Sequence, residues 1–278
     1  MSIAGGMDRA VERARLVGCD TLQVFTKNNN QWRAVPFREG EVEAFRRGLA
    51  KTGIGPVVAH NGYLINLAAR AKPLWKKSVA ALIVELERCT TLGIPYLVAH
   101  PGSHGGAGEA EGVRRVAEAL EVALGRVAGP MVLLETTAGQ GFSLGWRFEQ
   151  LAAIRAAVGT GLRQRIGVCL DTCHLFAAGY DFRTPAAYGT LRRALDAALG
   201  LDLVHAIHMN DSRRGLGSRV DRHEHIGRGQ IGAAGFRQFV RDRAWRGVPM
   251  LLETPKETDF RRTDRRNLAA LRRLAGRA

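Results

Sequence analysis

Nine residues in this chain pair metal-binding side chains with positions suited to metal chemistry. They are His60, His100, Glu135, Asp171, His174, His208, Asp221, His223 and Glu253. Six of them (His60, His100, Glu135, Asp171, His208 and Glu253) stand at or near the ends of short apolar runs such as PVVAH, MVLLE and RIGVCLD. The other three cluster beside them. Asp171 and His174 are three residues apart, and Asp221 and His223 are two apart, a spacing that turns both side chains the same way in an extended segment. The set holds His, Asp and Glu without Cys, which suits zinc or manganese at a hydrolytic centre. A zinc ion needs about three protein ligands plus a water, so nine ligands with one shared carboxylate can hold three ions. Closely spaced ions of this kind suit phosphoryl chemistry, because they neutralise both the attacking and the leaving oxygen.

The apolar runs read as strands buried on both faces. They cover 21–27, 56–60, 96–100, 131–135, 165–171, 206–210 and 250–253. Amphipathic stretches near 6–18, 38–52, 73–92, 110–127, 147–158, 184–199, 233–245 and 260–275 read as helices. Thr184 followed by Pro185 marks a helix start, and Gly93 marks a left-handed stop. Strand and helix alternate throughout, which implies a parallel sheet under helical cover. The length, 278 residues, and the eightfold repeat predict one (β/α)8 TIM barrel spanning 1–278. Its first strand is missing or truncated, because the first helix has no strand ahead of it. Barrel enzymes gather their chemistry at the C-terminal ends of the strands, where the six candidates stand.

Composition narrows the class further. No apolar run is long enough to span a membrane, and residues 1–6 have neither the basic nor the apolar part of a secretory signal. The cysteines Cys19, Cys89, Cys169 and Cys173 match neither a disulfide framework nor a zinc ribbon, so free thiols in a cytoplasmic protein are expected. The net charge of +15 favours a polyanionic partner. Arginine's dominance over lysine is equally the mark of a biased genome.

The longer motifs resemble those of the endonuclease IV family of abasic-site endonucleases. They are Phe25-Thr-Lys-Asn28 with Gln31-Trp-Arg33, His60-Asn-Gly-Tyr-Leu-Ile-Asn-Leu67, and His100-Pro-Gly-Ser-His104. Glu135-Thr-Thr-Ala-Gly-Gln-Gly141, Asp171-Thr-Cys-His174 and Phe176-Ala-Ala-Gly-Tyr-Asp181 follow. His208-Met-Asn-Asp-Ser212, Gly217-Ser-Arg-Val-Asp-Arg-His223, Gly227-Arg-Gly229 and Leu252-Glu253-Thr254 complete the series, in order along nearly the whole chain.

The resemblance implies a three-zinc hydrolase, manganese being an alternative occupant of one site. His60 and His100 would bind the first ion, and Glu135 would bridge the first and second. Asp171, His208 and Glu253 would complete the second, and His174, Asp221 and His223 would bind the third. Glu135 and Glu253 are the implied catalytic carboxylates. The implied reaction cuts the phosphodiester 5′ to an abasic site in double-stranded DNA, leaving a 3′-hydroxyl and a 5′-deoxyribose phosphate. Trimming of blocked 3′ ends is implied as well, by a cytoplasmic, nucleoid-associated monomer.

Tyr63 matches the family's stack-penetrating tyrosine. Arg33, Arg219 and Arg228 are candidate phosphate contacts, as are Lys27 and Arg213. Asn30 stands where well-known members carry an inserting arginine, so the wedge into DNA is differently made. Two other readings compete: a metal-dependent sugar or sugar-phosphate isomerase or epimerase on the same barrel, and a catalytically impaired DNA-damage-binding protein. The first leaves His174, Asp221 and His223 without a task. The second has no use for buried carboxylates that repel phosphate unless metal is bound.

Overall fold

The computed structural model describes residues 1–256 and 259–276. In chain order the elements are α1 (Met7–Val17), β1 (Leu22–Phe25), α2 (Glu41–Thr52), β2 (Val57–His60), α3 (Lys72–Leu92) and β3 (Tyr96–Ala99). Next come α4 (Glu109–Arg126), β4 (Met131–Glu135), α5 (Phe148–Ala157), α6 (Thr160–Arg163), β5 (Ile166–Asp171), α7 (Thr172–Ala178) and α8 (Pro185–Ala198). The chain continues through β6 (Val204–His208), β7 (Asp211–Ser212), β8 (His223–Glu224), α9 (Gly232–Arg241), β9 (Met250–Leu251) and α10 (Phe260–Leu274). They fall into two compact units: residues 1–134 with 153–167, and residues 135–152 with 168–278.

In the first unit β1, β2, β3 and β4 are parallel neighbours in chain order, with Phe25 opposite His60 and His60 opposite Val98. β2 is buried along its whole length, as an apolar strand covered on both faces should be. The helices turn one stripe inward. In α3 the buried residues Ser78, Leu82, Glu85, Cys89 and Leu92 are spaced three or four apart, with Leu86 beside them. Gly93 ends that helix at φ 75°, a left-handed cap whose single N–H is shared between the Cys89 and Thr90 carbonyls. No strand precedes α1 among the described residues, and the Met1 ammonium donates to the Gln23 carbonyl of β1.

In the second unit β5, β6 and β9 are parallel neighbours, with Asp171 opposite His208 and His208 opposite Leu251. β7 and β8 form a separate antiparallel ribbon. Thr184 caps α8 as its sequence predicts, its Oγ1 accepting from Ala187 N–H at 3.2 Å. Two short helices were not legible. α6 and α7 are too brief to show a helical period, and α7 is buried from Thr172 to Ala177, so it has no polar face to reveal it. His100 and Glu253 lie just beyond the hydrogen-bonded parts of β3 and β9 rather than inside strands.

Leu82 is fully buried in the inward stripe of α3. Leu82→Ala is expected to lower unfolding free energy by about 2–5 kcal/mol, read by chemical denaturation with the slope unchanged.

Candidate metal centre

In the second unit, ligating atoms of Glu135, Asp171, His208 and Glu253 lie within 4.8 Å of one another. Glu135, Asp171 and His208 end β4, β5 and β6 and are buried; Glu253 is half-buried, two residues past β9. His208 Nδ1 is 3.0 Å from Glu135 Oε1, 3.2 Å from Glu253 Oε2 and 3.7 Å from Asp171 Oδ2.

A second group shares Asp171 and adds His174 and His223. His174 Nε2 is 3.0 Å from Asp221 Oδ2, and His223 Nε2 is 3.2 Å from Asp221 Oδ1 and 3.7 Å from Asp171 Oδ2. Asp171 caps α7 by accepting His174 N–H at 2.8 Å. The cap starts a helix on the last strand residue and folds His174 back over the strand end. Cys173 also falls beside Asp221 and His223. Burial pushes its thiol up to about 12, so it is protonated at neutral pH.

The donor set fits divalent metal. A ligating histidine usually donates its other ring N–H to a carbonyl or carboxylate, which fixes the tautomer. His174 Nδ1 donates to the Thr136 carbonyl at 2.8 Å and His223 Nδ1 to the Glu253 carbonyl at 3.1 Å. Both leave Nε2 aimed at carboxylates, His174 at Asp221 and His223 at Asp221 and Asp171. In the first unit, His60 Nδ1 donates to the Asn61 carbonyl at 2.8 Å. His100 lies beside it, the ring centroids 5.5 Å apart.

The carboxylates dominate the electrostatics. Burial alone would lower the histidines, because it penalises the charged ring. For His174 the pull of Asp171, Asp221 and Glu135 outweighs burial and raises it well above its ordinary value. His208 is likewise raised well above its ordinary value, by Cys169, Glu253 and Glu135 against burial. His223 rises to about 9, as Asp171 and Asp221 overcome burial. Burial opposes ionisation of Asp221, yet hydrogen bonds from His174 and His223 hold its carboxyl well below the usual range.

Three polar residues that sequence reasoning passed over hold this arrangement. Asn210 Nδ2 donates to Asp171 Oδ2 at 2.6 Å, and its Oδ1 accepts Glu253 N–H at 2.8 Å. Thr136 Oγ1 accepts Asp171 N–H at 2.9 Å. Thr172 Oγ1 donates to the Asn210 carbonyl at 2.7 Å. One signal was available for Asn210: it sits two residues after His208, in the same short motif.

The residues expected to face DNA are mostly exposed. Tyr63 is 61% exposed, its ring edge-on to Phe25 at 5.4 Å. Asn30 and Arg33 are exposed on the loop after β1. Arg219 is exposed at φ 55°, its guanidinium 4.0 Å over the Trp146 ring, and Arg228 is exposed beyond β8. Lys27 departs from expectation. Its side chain is 4% exposed and paired with Glu85 at 3.5 Å, so it does not reach phosphate at a surface. Arg213 is exposed and ion-paired with Glu224 at 3.0 Å.

Residues 11–274 match the family model described as xylose isomerase-like TIM barrel. The chain is 51% identical over 276 residues to a probable endonuclease 4 of Chloroflexus aurantiacus, covering 99% of this chain and 96% of that protein. It is also 51% identical over 280 residues to a probable endonuclease 4 of Geobacter sulfurreducens, covering 100% of this chain and 93% of the relative. The chain belongs to the endonuclease IV family. Endonuclease IV of Thermus thermophilus superposes with a TM-score of 0.86 at 41% identity, covering 100% of this chain and 98% of that one. As an endonuclease IV family member the chain is a TIM-barrel DNA-repair endonuclease, and its His, Asp and Glu clusters are those of a metal-dependent enzyme.

In this endonuclease IV relative, Asn210→Ala is expected to lower metal affinity about 10–100-fold, measured by competition with a chromophoric chelator. Metal must also displace protons from the raised histidines. Binding at pH 7 is therefore expected to release protons, and affinity to fall as pH falls. Titration calorimetry in buffers of different ionisation enthalpy checks both.

Proposed function

We propose that this chain hydrolyses the phosphodiester 5′ to an abasic site in double-stranded DNA with three zinc ions, leaving a 3′-hydroxyl and a 5′-deoxyribose phosphate. The convergence of Glu135, Asp171, His208 and Glu253 beside Asp171, His174 and His223 carries this reading. His60 and His100 would hold one ion and share Glu135 with the next. Asp171, His208 and Glu253 would complete the second site, and His174, Asp221 and His223 the third. Zinc bound there would supply Lewis-acid stabilisation of the charge that builds on the phosphate oxygens.

The protein's own residues account for the rest. Glu135 and Glu253 each place a carboxylate oxygen near His208 Nδ1, at 3.0 and 3.2 Å. As deprotonated carboxylates both would supply the negative charge that holds the ions at the reacting phosphate. Asn210 keeps Asp171 and Glu253 in register, so the carboxylates do not need to reorganise as charge develops. Exposed Tyr63, with Leu64 at 38% exposure, offers an apolar wedge for the gap left by a missing base. Asn30, Arg33, Arg219 and Arg228 would contact the flanking strands. Flipping a baseless sugar into a small site excludes normal nucleotides by size.

The same site would trim blocked 3′ ends, which present the same phosphodiester to the same metals. The unbroken family match over residues 11–274 supports a single catalytic domain. No helix among the described residues is long and apolar enough to cross a membrane. An association with nucleoid DNA fits the net charge of +15, and we take the acting species to be a monomer. The sugar-epimerase alternative draws only on fold. A D-tagatose 3-epimerase-like protein superposes with a TM-score of 0.66 at 15% identity.

A duplex with one tetrahydrofuran abasic analogue tests the reading, with bound metal measured in parallel. Incision 5′ to the analogue and zinc near three per chain are the expected results. Glu135→Gln is expected to lower incision on the order of a thousandfold. An enzyme that leaves the duplex intact, or a Glu135→Gln variant as fast as wild type, overturns the assignment.

A further inference from the structure

The strongest feature outside the metal cluster is a buried ion pair in the first unit. Lys27 and Glu85 are 4% and 1% exposed, with Nζ 3.5 Å from Oε1. Neither carries chemistry in the reaction proposed above. Burying two charges is expensive, and apolar replacements of similar volume are often as stable or more so. Glu85 Oε2 is moreover buried without a hydrogen-bond partner. Stability alone therefore gives a weak reason for the pair.

What the pair touches gives a better one. Lys27 Nζ donates to the Gln31 carbonyl at 2.6 Å, which closes the loop after β1. Glu85 Oε1 accepts Gly62 N–H at 2.9 Å, which fixes the loop after β2. The two loops are then joined directly, because Tyr63 N–H donates to the Asn29 carbonyl at 3.0 Å. At the tip, Asn30 N–H donates to Asn28 Oδ1 at 2.9 Å, so the exposed end is itself a closed turn. One helical turn along α3, Arg88 holds the same β1 loop from its flanks. Its guanidinium donates to the Thr26 carbonyl at 2.9 and 2.6 Å and to the Val35 carbonyl at 2.9 Å. There is no slack at the junction: a Cβ on Gly62 would lie 3.2 Å from both Asn29 O and Lys27 Nζ, and 3.3 Å from Glu85 Oε1.

We propose that Lys27 and Glu85 are a positioning pair that sets Tyr63 and the 28–31 turn in one rigid arrangement for entry into a lesion-bearing duplex. Two loops that must enter the base stack together gain affinity from being ordered beforehand, since less freedom is lost on binding. The buried charges supply that order through hydrogen bonds to charged groups, which are roughly twice as strong as neutral ones. The inference rests on the abasic-site reading.

The test uses the full-length zinc-loaded enzyme and the tetrahydrofuran duplex, with 2-aminopurine opposite the lesion to report unstacking. Lys27→Met/Glu85→Gln removes both charges while keeping an acceptor for Gly62 N–H. KM is expected to rise about tenfold with kcat falling no more than about threefold, the pattern of lost binding rather than lost chemistry. The 2-aminopurine signal on binding should weaken at unchanged zinc content. Adding Tyr63→Ala should cost little more, because coupled residues do not add. Gly62→Ala changes no charge but crowds the same junction; it should give the same KM-dominated loss and carries the test if the double variant does not fold. A KM within about twofold of wild type in a folded variant, or effects additive with Tyr63→Ala, overturns the positioning role. Loss of zinc with equal loss of kcat would mean a structural role only, and overturns it too. A wild type that does not incise the duplex overturns the proposed function itself.

Discussion

The second unit is organised around a concentration of like charge. Glu135, Asp171 and Glu253 converge on His208, and Asp221 lies within 3.2 Å of His174 and His223. Carboxylates this close repel strongly wherever water is scarce. The same carboxylates favour the charged rings, which is why His174, His208 and His223 are raised above the ordinary histidine value against burial. Divalent metal answers the same repulsion with more charge in less space, and it leaves the rings neutral. The surrounding structure fits that demand. Asp171 is held by Thr136, Asn210 and its own helix cap, and Asn210 holds the Glu253 backbone as well. The parallel sheet matters because the ends of β5 and β6 put Asp171 and His208 directly opposite one another.

The skeleton of this arrangement was legible because strand ends are chemically conspicuous. A charged or imidazole residue closing an apolar run has few explanations, and six such endings in one chain leave fewer. β4 matched its predicted bounds, and β2, β3 and β5 came within a residue at each end. What escaped lacked either period or charge. α7 has seven residues and is buried through most of its length, so it shows neither a helical period nor a polar face. β7 and β8 have two residues each, too few to alternate. Asn210, Thr136 and Thr172 carry no charge, so nothing in composition marks them, although they hold the carboxylates in place.

Lys27 shows the opposite error. A lysine closing a predicted strand, next to a candidate DNA-contact loop, reads as a phosphate ligand, since lysine is usually solvated. Its partner Glu85 lies in the inward stripe of α3, far along the chain, and only the fold brings them together. Glu85 did interrupt the apolar stripe of that helix. A carboxylate at a buried helical position requires a partner; taken seriously, that demand would have led to the search for a buried cation.

Chemistry and recognition thus rest on separate devices. The carboxylate cluster depends on charge balance and tolerates little motion in Asp171 or Glu253. The loops proposed to meet DNA carry exposed, chemically modest residues, Asn30, Tyr63 and Leu64. An arginine at position 30 could compensate for a loose loop, because a long cationic side chain finds phosphate from many conformers. Asparagine has neither the reach nor the charge. In the proposed function the wedge would then depend on Tyr63 being correctly placed before DNA arrives. On the proposed reading, a buried ion pair with hydrogen bonds to both loops would provide that placement from the interior, which is why a costly pair there belongs with a plain residue at the tip.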